Sequence, residues 1–106
     1  MSYKWPEKDP DETADFSVDW SRFLGSDSIV STVFFVDDAS GTKTQVSVAQ
    51  IVNGLQFIAP TVSGNVATAR FGLGTNNVRY NITCRIVTTQ GLTYERSVIL
   101  PIRERK

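Results

Sequence analysis

Alternating apolar and polar residues characterise the chain from position 15 onward. Phe16, Val18 and Trp20 alternate with polar residues, which is the pattern of a strand with one buried face. Turn-forming clusters separate this segment from similar ones, and no segment has a convincing amphipathic helix pattern, although a helical turn within 44–52 stays open. The predicted strands are DFSVDW at 15–20, IVSTVFFV at 29–36, TQVSVAQIV at 44–52, LQFIAP at 55–60, VATARFGL at 66–73, VRYNITCRIVTT at 78–89 and LTYERSVILPIRER at 92–105.

These roughly seven strands predict one all-β domain over residues 15–106. Asn53-Gly54 is a tight-hairpin dipeptide, and Y-x-I-x-C at 80–84 before a short hairpin is typical of immunoglobulin-like domains. We therefore predict an Ig-like antiparallel β-sandwich, with a jelly roll or a small barrel as alternatives. Its last two strands have apolar faces formed by Tyr80, Ile82, Cys84 and Ile86, and by Tyr94, Val98, Leu100 and Ile102, the second of which Arg96 interrupts.

Residues 1–14 lack this alternation and form a predicted extended N-terminal arm. Pro6 and Pro10 bias the preceding residues toward extended backbone, so the arm can reach about 40 Å. Because aromatic anchors carry much of the energy at protein interfaces, we expect the arm to bind a neighbouring protein; alternatively, Trp5 packs back on its own domain. The candidate protein-binding residues are Tyr3, Lys4, Trp5, Pro6, Lys8, Asp9, Pro10, Asp11, Glu12, Arg103 and Arg105.

The charges balance over the whole chain but not along it. Eleven Lys and Arg residues face eleven Asp and Glu residues, which argues against nucleic acid as the main partner. Residues 1–15 carry two Lys and five acidic residues, whereas residues 91–106 carry four basic and two acidic residues. An acidic head and a basic tail can pair between neighbouring copies, or the termini can be ordinary solvated segments.

Candidate catalytic and metal-binding groups are few. The chain has no histidine, which removes the most usual general base and the commonest metal ligand. Asp15 and Asp19 share a strand face but lie ~13 Å apart, beyond the roughly 5 to 9.5 Å of a glycosidase pair. Cys84 is the single cysteine and falls on an apolar strand face, as an inert core thiol would. We expect no enzyme activity, no cofactor and no metal.

The two ends of the chain resemble a known family. KWPEKDPDETADFSVDWS at 4–21 resembles the K-W-P-x-K-D-P-D-E-x-x-D-[YF]-x-[IV]-D-W start of small tailed-bacteriophage structural proteins of the fiber–tail adaptor type. RIVTTQGLTYERSVILPIRER at 85–105 is similar to their R-I-x-T-x-x-G-x-x-x-x-R-x-x-x-L-P-[IV]-R close. The matching residues are Lys4, Trp5, Pro6, Lys8, Asp9, Pro10, Asp11, Glu12, Asp19, Trp20, Arg85, Gly91, Arg96, Leu100, Pro101 and Arg103.

The resemblance implies a non-enzymatic virion protein that is made in the bacterial host cytoplasm. Its expected partners are other phage structural proteins of the tail, neck, fiber or capsid, with several copies in a symmetric assembly and no nucleic acid or membrane. Arm exchange between neighbours fits this role, and it leads us to expect that the domain folds without residues 1–12. The alternatives are a capsid decoration (cement) protein and an Ig-like ligand-binding module.

Overall fold

The chain folds into strands along most of its length. The structure is a computed structural model that describes residues 3–38 and 40–104, with Tyr3 described by its backbone alone. Within these ranges the only helix is one turn, too short to cross a membrane. The elements are β1 Tyr3–Lys4, β2 Ala14–Asp19, α1 Ser21–Leu24, β3 Ile29–Asp37, β4 Lys43–Val46, β5 Gln50–Val52, β6 Leu55–Ser63, β7 Val66–Leu73, β8 Arg79–Thr88 and β9 Thr93–Pro101.

The strands form two sheets that pack face to face. One sheet has the order β1-β9-β8-β3-β4 and the other the order β2-β7-β6-β5. All pairs are antiparallel except β1 with β9, which run parallel. The predicted all-β sandwich is confirmed, and its immunoglobulin-like connectivity stays a prediction. The segment 44–52 contains two short strands, and β1 adds a strand inside the N-terminal arm.

The core lies between the two sheets, where the alternating apolar residues predict it. Trp20, Cys84 and Leu100 are all buried, as their positions on apolar strand faces indicate. Asn53 and Gly54 have φ values of 51° and 84° and connect β5 to β6, which confirms the predicted hairpin. Phe34, Phe57, Phe71, Tyr80, Ile82, Ile86, Val98 and Ile102 complete the centre of the core.

Arg96 interrupts an apolar face because it covers the edge of the core instead of entering it. Its guanidinium lies 4.5 Å from the Trp20 ring centroid and donates a hydrogen bond to the Asp19 carbonyl at 3.4 Å. Phe23 packs edge-to-face on Tyr94 with ring centroids 4.7 Å apart. A cation over an aromatic face is favourable, so Arg96 joins β9 to the end of β2 along one side of the sandwich.

Candidate protein-binding edge

The N-terminal arm lies along the outer edge of the five-stranded sheet. Tyr3 and Lys4 pair with Val98 and Ile99 of β9 in parallel register. The Trp5 amide donates to the Ile99 carbonyl at 2.9 Å. Further along, the Lys8 amide donates to the Pro101 carbonyl at 3.0 Å, and the Arg103 amide donates to the Lys8 carbonyl at 2.9 Å. These bonds satisfy backbone groups that an open edge strand would leave unpaired.

Trp5 fills the gap between the two sheets on this side. Its side chain is 8% exposed, and its ring centroid lies 5.3 Å from that of Phe16 and 6.2 Å from that of Phe71. The indole Nε1 donates to the Ser17 carbonyl of β2 at 2.9 Å. The backbone of Trp5 therefore bonds to one sheet and its indole to the other. In this arrangement Trp5 packs on its own domain.

Lys8 is buried although its side chain carries a charge. The residue is 1% exposed, and its Nζ donates to the Leu73 carbonyl at 2.5 Å and to the Asp9 carbonyl at 2.8 Å. Burial lowers the pKa of Lys8 from its usual value, while the nearby carboxylates of Glu12, Asp9 and Asp11 act to raise the pKa. The ammonium group thus ties the arm to the last residue of β7, 65 positions later in the chain.

The acidic turn, residues 9–12, follows Lys8 and leads toward β2. The Asp9 amide donates to Oε1 of Glu12 at 2.8 Å, and the Asp11 amide donates to Oδ1 of Asp9 at 2.9 Å. The Glu12 amide closes the turn on the Asp9 carbonyl at 2.9 Å. Two of the candidate carboxylates therefore fix the local backbone. No group of three or more Cys, Asp or Glu residues within the described part of the chain could hold a metal ion.

Burial divides the predicted binding residues into two groups. Trp5 and Lys8 point into the domain, and Asp9 and Pro10 are half-buried. Arg105 and the Tyr3 side chain lie outside the described residues. The exposed candidates are Lys4, Pro6, Asp11, Glu12 and Arg103.

A groove runs between the arm and the start of β8. We call it the basic groove, because Lys4, Arg79 and Arg103 line it together with Glu7. Val78, Pro101 and Ile102 form part of its wall, and Asn77 adds an amide side chain. Arg79 and Glu7 are not among the binding residues predicted from the sequence. The signal for Arg79 was its position on the polar face of β8, next to Tyr80 of the core.

The remaining residues of the resemblance mostly stabilise the fold. Arg85 makes an ion pair with Glu95 across the outer face of β8 and β9 and stacks over Phe35, with 4.6 Å between its Cζ and the ring centroid. Gly91, with φ of 80°, closes the hairpin between these strands. Arg96 covers Trp20, as described above. Several residues of the motif at the end of the chain thus have a structural role within the domain.

The family of the chain follows from a comparison with family models. The model described as podophage GP4 fiber-tail adaptor protein gp77 matches residues 8–101. The chain belongs to this family. The match confirms the resemblance drawn from the two ends and identifies a phage structural adaptor, a virion component that binds other tail components such as fibers. The comparison with curated proteins gave no significant match.

Truncating Trp5 should destabilise the whole domain. We expect Trp5→Ala to lower the free energy of unfolding by about 3–5 kcal/mol, because the change opens a cavity between Phe16 and Phe71. Trp5→Phe keeps a ring but loses the bond to Ser17, so its cost should be about 1 kcal/mol. Urea denaturation of the two variants measures both costs. A loss below about 0.5 kcal/mol for Trp5→Ala, as for a surface residue, would show that the indole is not a core residue.

The same contacts change the expectation for a chain without residues 1–12. That deletion removes Trp5, Lys8 and an edge strand together, so we now expect it to destabilise the domain. Loss of assembly after the deletion would not separate lost binding from lost folding.

Lys8 should give the stability a specific pH dependence. Because its pKa is lower in the folded state, the unfolded chain keeps the Lys8 proton to a higher pH. Below the pKa of Lys8 in the folded state, burial of the charged ammonium lowers the stability by a constant amount. As the pH rises from this pKa to the pKa of Lys8 in the unfolded chain, the folded protein loses the proton first and that destabilisation disappears. Relative to Lys8→Met, the wild-type protein should therefore gain stability from neutral to alkaline pH.

Urea denaturation of both proteins at several pH values measures this difference. Lys4→Met serves as a control, because it removes a lysine from the exposed part of the same arm. A difference between wild type and Lys8→Met that stays constant with pH would show that burial does not shift Lys8.

Proposed function

We propose that this protein is a non-enzymatic adaptor that joins a fiber to the tail through one edge of its sandwich. This binding edge consists of the exposed residues along the arm and the end of the last strand: Lys4, Pro6, Glu7, Asp11, Glu12 and Arg103. Membership in the fiber–tail adaptor family supports a position on the tail. A capsid decoration protein, the alternative from the sequence, would bind the shell instead.

One observation carries the proposal: the arm is anchored by two buried side chains, while Glu7, Asp11 and other described side chains of the arm are exposed. Trp5 and Lys8 fix the arm on β9, on β2 and on the end of β7. Lys4 and Pro6 flank Trp5 and are exposed. A partner therefore meets side chains on an ordered backbone, which reduces the entropy lost on binding.

The charges of the binding edge suit the role of an adaptor. The edge carries both basic and acidic side chains, so a partner with the complementary pattern is favoured and other proteins are disfavoured. Exposed charged contacts are individually weak. Several copies in one symmetric particle, assembled in the bacterial host, compensate through multivalency.

Alanine substitutions on the binding edge should abolish assembly without unfolding the protein. We expect Lys4→Ala, Pro6→Ala and Arg103→Ala together to reduce incorporation into virions by about tenfold or more, since that corresponds to about 1.4 kcal/mol of lost binding. The melting temperature should fall by less than ~8 °C, because none of the three side chains is buried and only the loss of Pro6 adds entropy to the unfolded chain. Quantitative mass spectrometry of purified particles gives the incorporation.

The control carries Arg22→Ala, Lys43→Ala and Gln45→Ala, which also removes two positive charges from exposed positions. These residues lie outside the binding edge, on α1 and on β4, and β4 forms the opposite edge of the five-stranded sheet from β1. Incorporation of the binding-edge variant at the level of this control would overturn the proposal.

Arm exchange between copies is a distinct mechanism for the same edge. The pair Lys4→Cys and Ile99→Cys tests it, because the two residues are neighbours in register and a disulfide between them holds the arm on its own domain. Cys84 is buried and should not compete. If arms exchange between copies, the variant should form oligomers only when the disulfide is reduced. Light scattering of the oxidised and the reduced protein measures the mass of each. Equal masses in the oxidised and reduced protein would contradict exchange and support an arm that stays docked.

A further inference from the structure

We propose that copies of this chain contact each other head to tail, with the acidic turn of one copy bound in the basic groove of the next. The occupant of the groove is thus residues 9–12 of a second copy. This inference rests on the proposed function, because that function brings several copies together in one particle.

The basic groove presents its cations on the outer face of the five-stranded sheet. Arg79 pairs with Pro101, and Lys4 pairs with Ile99, so both precede buried residues and point away from the core. Arg103 continues from β9 at the same end. None of these three cations forms an ion pair with a carboxylate of the described residues. The groove therefore presents more positive than negative charge to a ligand.

The acidic turn offers a ligand of matching charge and fixed shape. The four residues of the turn include three carboxylates, those of Asp9, Asp11 and Glu12. Hydrogen bonds from backbone amides within the turn hold its shape. Lys8, buried beneath the turn, offsets part of this charge, because the three carboxylates act on its ammonium group. An ordered acidic turn docks with less loss of entropy than a flexible acidic tail.

The two surfaces are neighbouring but separate patches of one copy, since Arg103 of the groove bonds to the Lys8 carbonyl just before the turn. The acidic turn leads into β2, whose first residue, Ala14, pairs with Phe71 of the four-stranded sheet. The basic groove belongs to the five-stranded sheet. When two complementary patches are different parts of one subunit, each copy uses both, and the contact repeats from copy to copy. A ring or a filament results, depending on whether the rotation closes.

Charge exchange between two variants tests this contact. The groove variant carries Arg79→Glu and Arg103→Glu, and the turn variant carries Asp11→Lys and Glu12→Gln, which keeps an acceptor for the Asp9 amide. We expect purified wild-type protein to form oligomers at low salt that dissociate at high salt, since exposed charges are screened. Each variant alone should associate about tenfold more weakly or not at all. Mixing the two should restore association, because the acidic turn of the groove variant then meets the basic groove of the turn variant.

The control variant, Arg22→Glu with Lys43→Glu, makes the same charge change as the groove variant at distant exposed positions and should associate like wild type. Sedimentation velocity measures all of these species. A wild-type protein that is monomeric at low salt and at the highest soluble concentration would overturn the proposal, and so would variants that fail to restore assembly when mixed. If this contact fails while the alanine variants still lose incorporation, the adaptor function stands and only its contact between copies is wrong.

Discussion

The arrangement of this protein depends on the indole of Trp5, which bridges the two sheets along one side of the sandwich. The backbone of Trp5 bonds to Ile99 in one sheet, and its Nε1 bonds to Ser17 in the other. Packing on Phe16 and Phe71 makes the ring part of the same aromatic core that reaches Phe57. A segment that looks like a free arm is thereby an edge of the domain, and its exposed side chains have fixed positions.

Lys8 is a second anchor of the arm, and its burial costs more free energy than that of Trp5 because its side chain is charged. Taking an ammonium group out of water is unfavourable unless acceptors replace the water, and the carbonyls of Leu73 and Asp9 supply them. Pro6 and Pro10 lower the conformational freedom of the unfolded arm, which reduces the entropy lost when the arm docks. The acidic turn then stabilises the buried charge from outside. The same carboxylates serve the fold and provide the proposed contact between copies.

Much of the sandwich could be predicted from the sequence because its signals are local. Alternation in β2 and β8 identifies buried residues such as Trp20 and Cys84, and Asn53 with Gly54 identifies a hairpin. The sequence did not predict the placement of the arm. A tryptophan in a charged, proline-containing segment is equally compatible with a contact within the chain and with a contact between chains. Which of the two forms depends on a slot between β2, β7 and β9, which the sequence does not show.

Lys8 and Arg96 show the same limit. A lysine in a charged segment is ordinarily exposed, and its burial depends on the Leu73 carbonyl, which is remote in sequence. Arg96 breaks the apolar face of β9 in the sequence, yet it packs on Trp20 at the edge of the core. The sequence therefore predicts the candidate binding residues only as a group, and their division into anchors and exposed side chains required the tertiary contacts.

Amide hydrogen exchange at Trp5 and Lys8 tests most directly whether the arm is part of the domain. Both amides donate to carbonyls at the outer edge of the sheet, those of Ile99 and Pro101. If the arm is docked as described, these two amides should be strongly protected and exchange far more slowly than those of an unfolded chain. Exchange at the rate of an unfolded chain, with the amides of β8 still protected, would show that the arm is a free tail and would contradict the account.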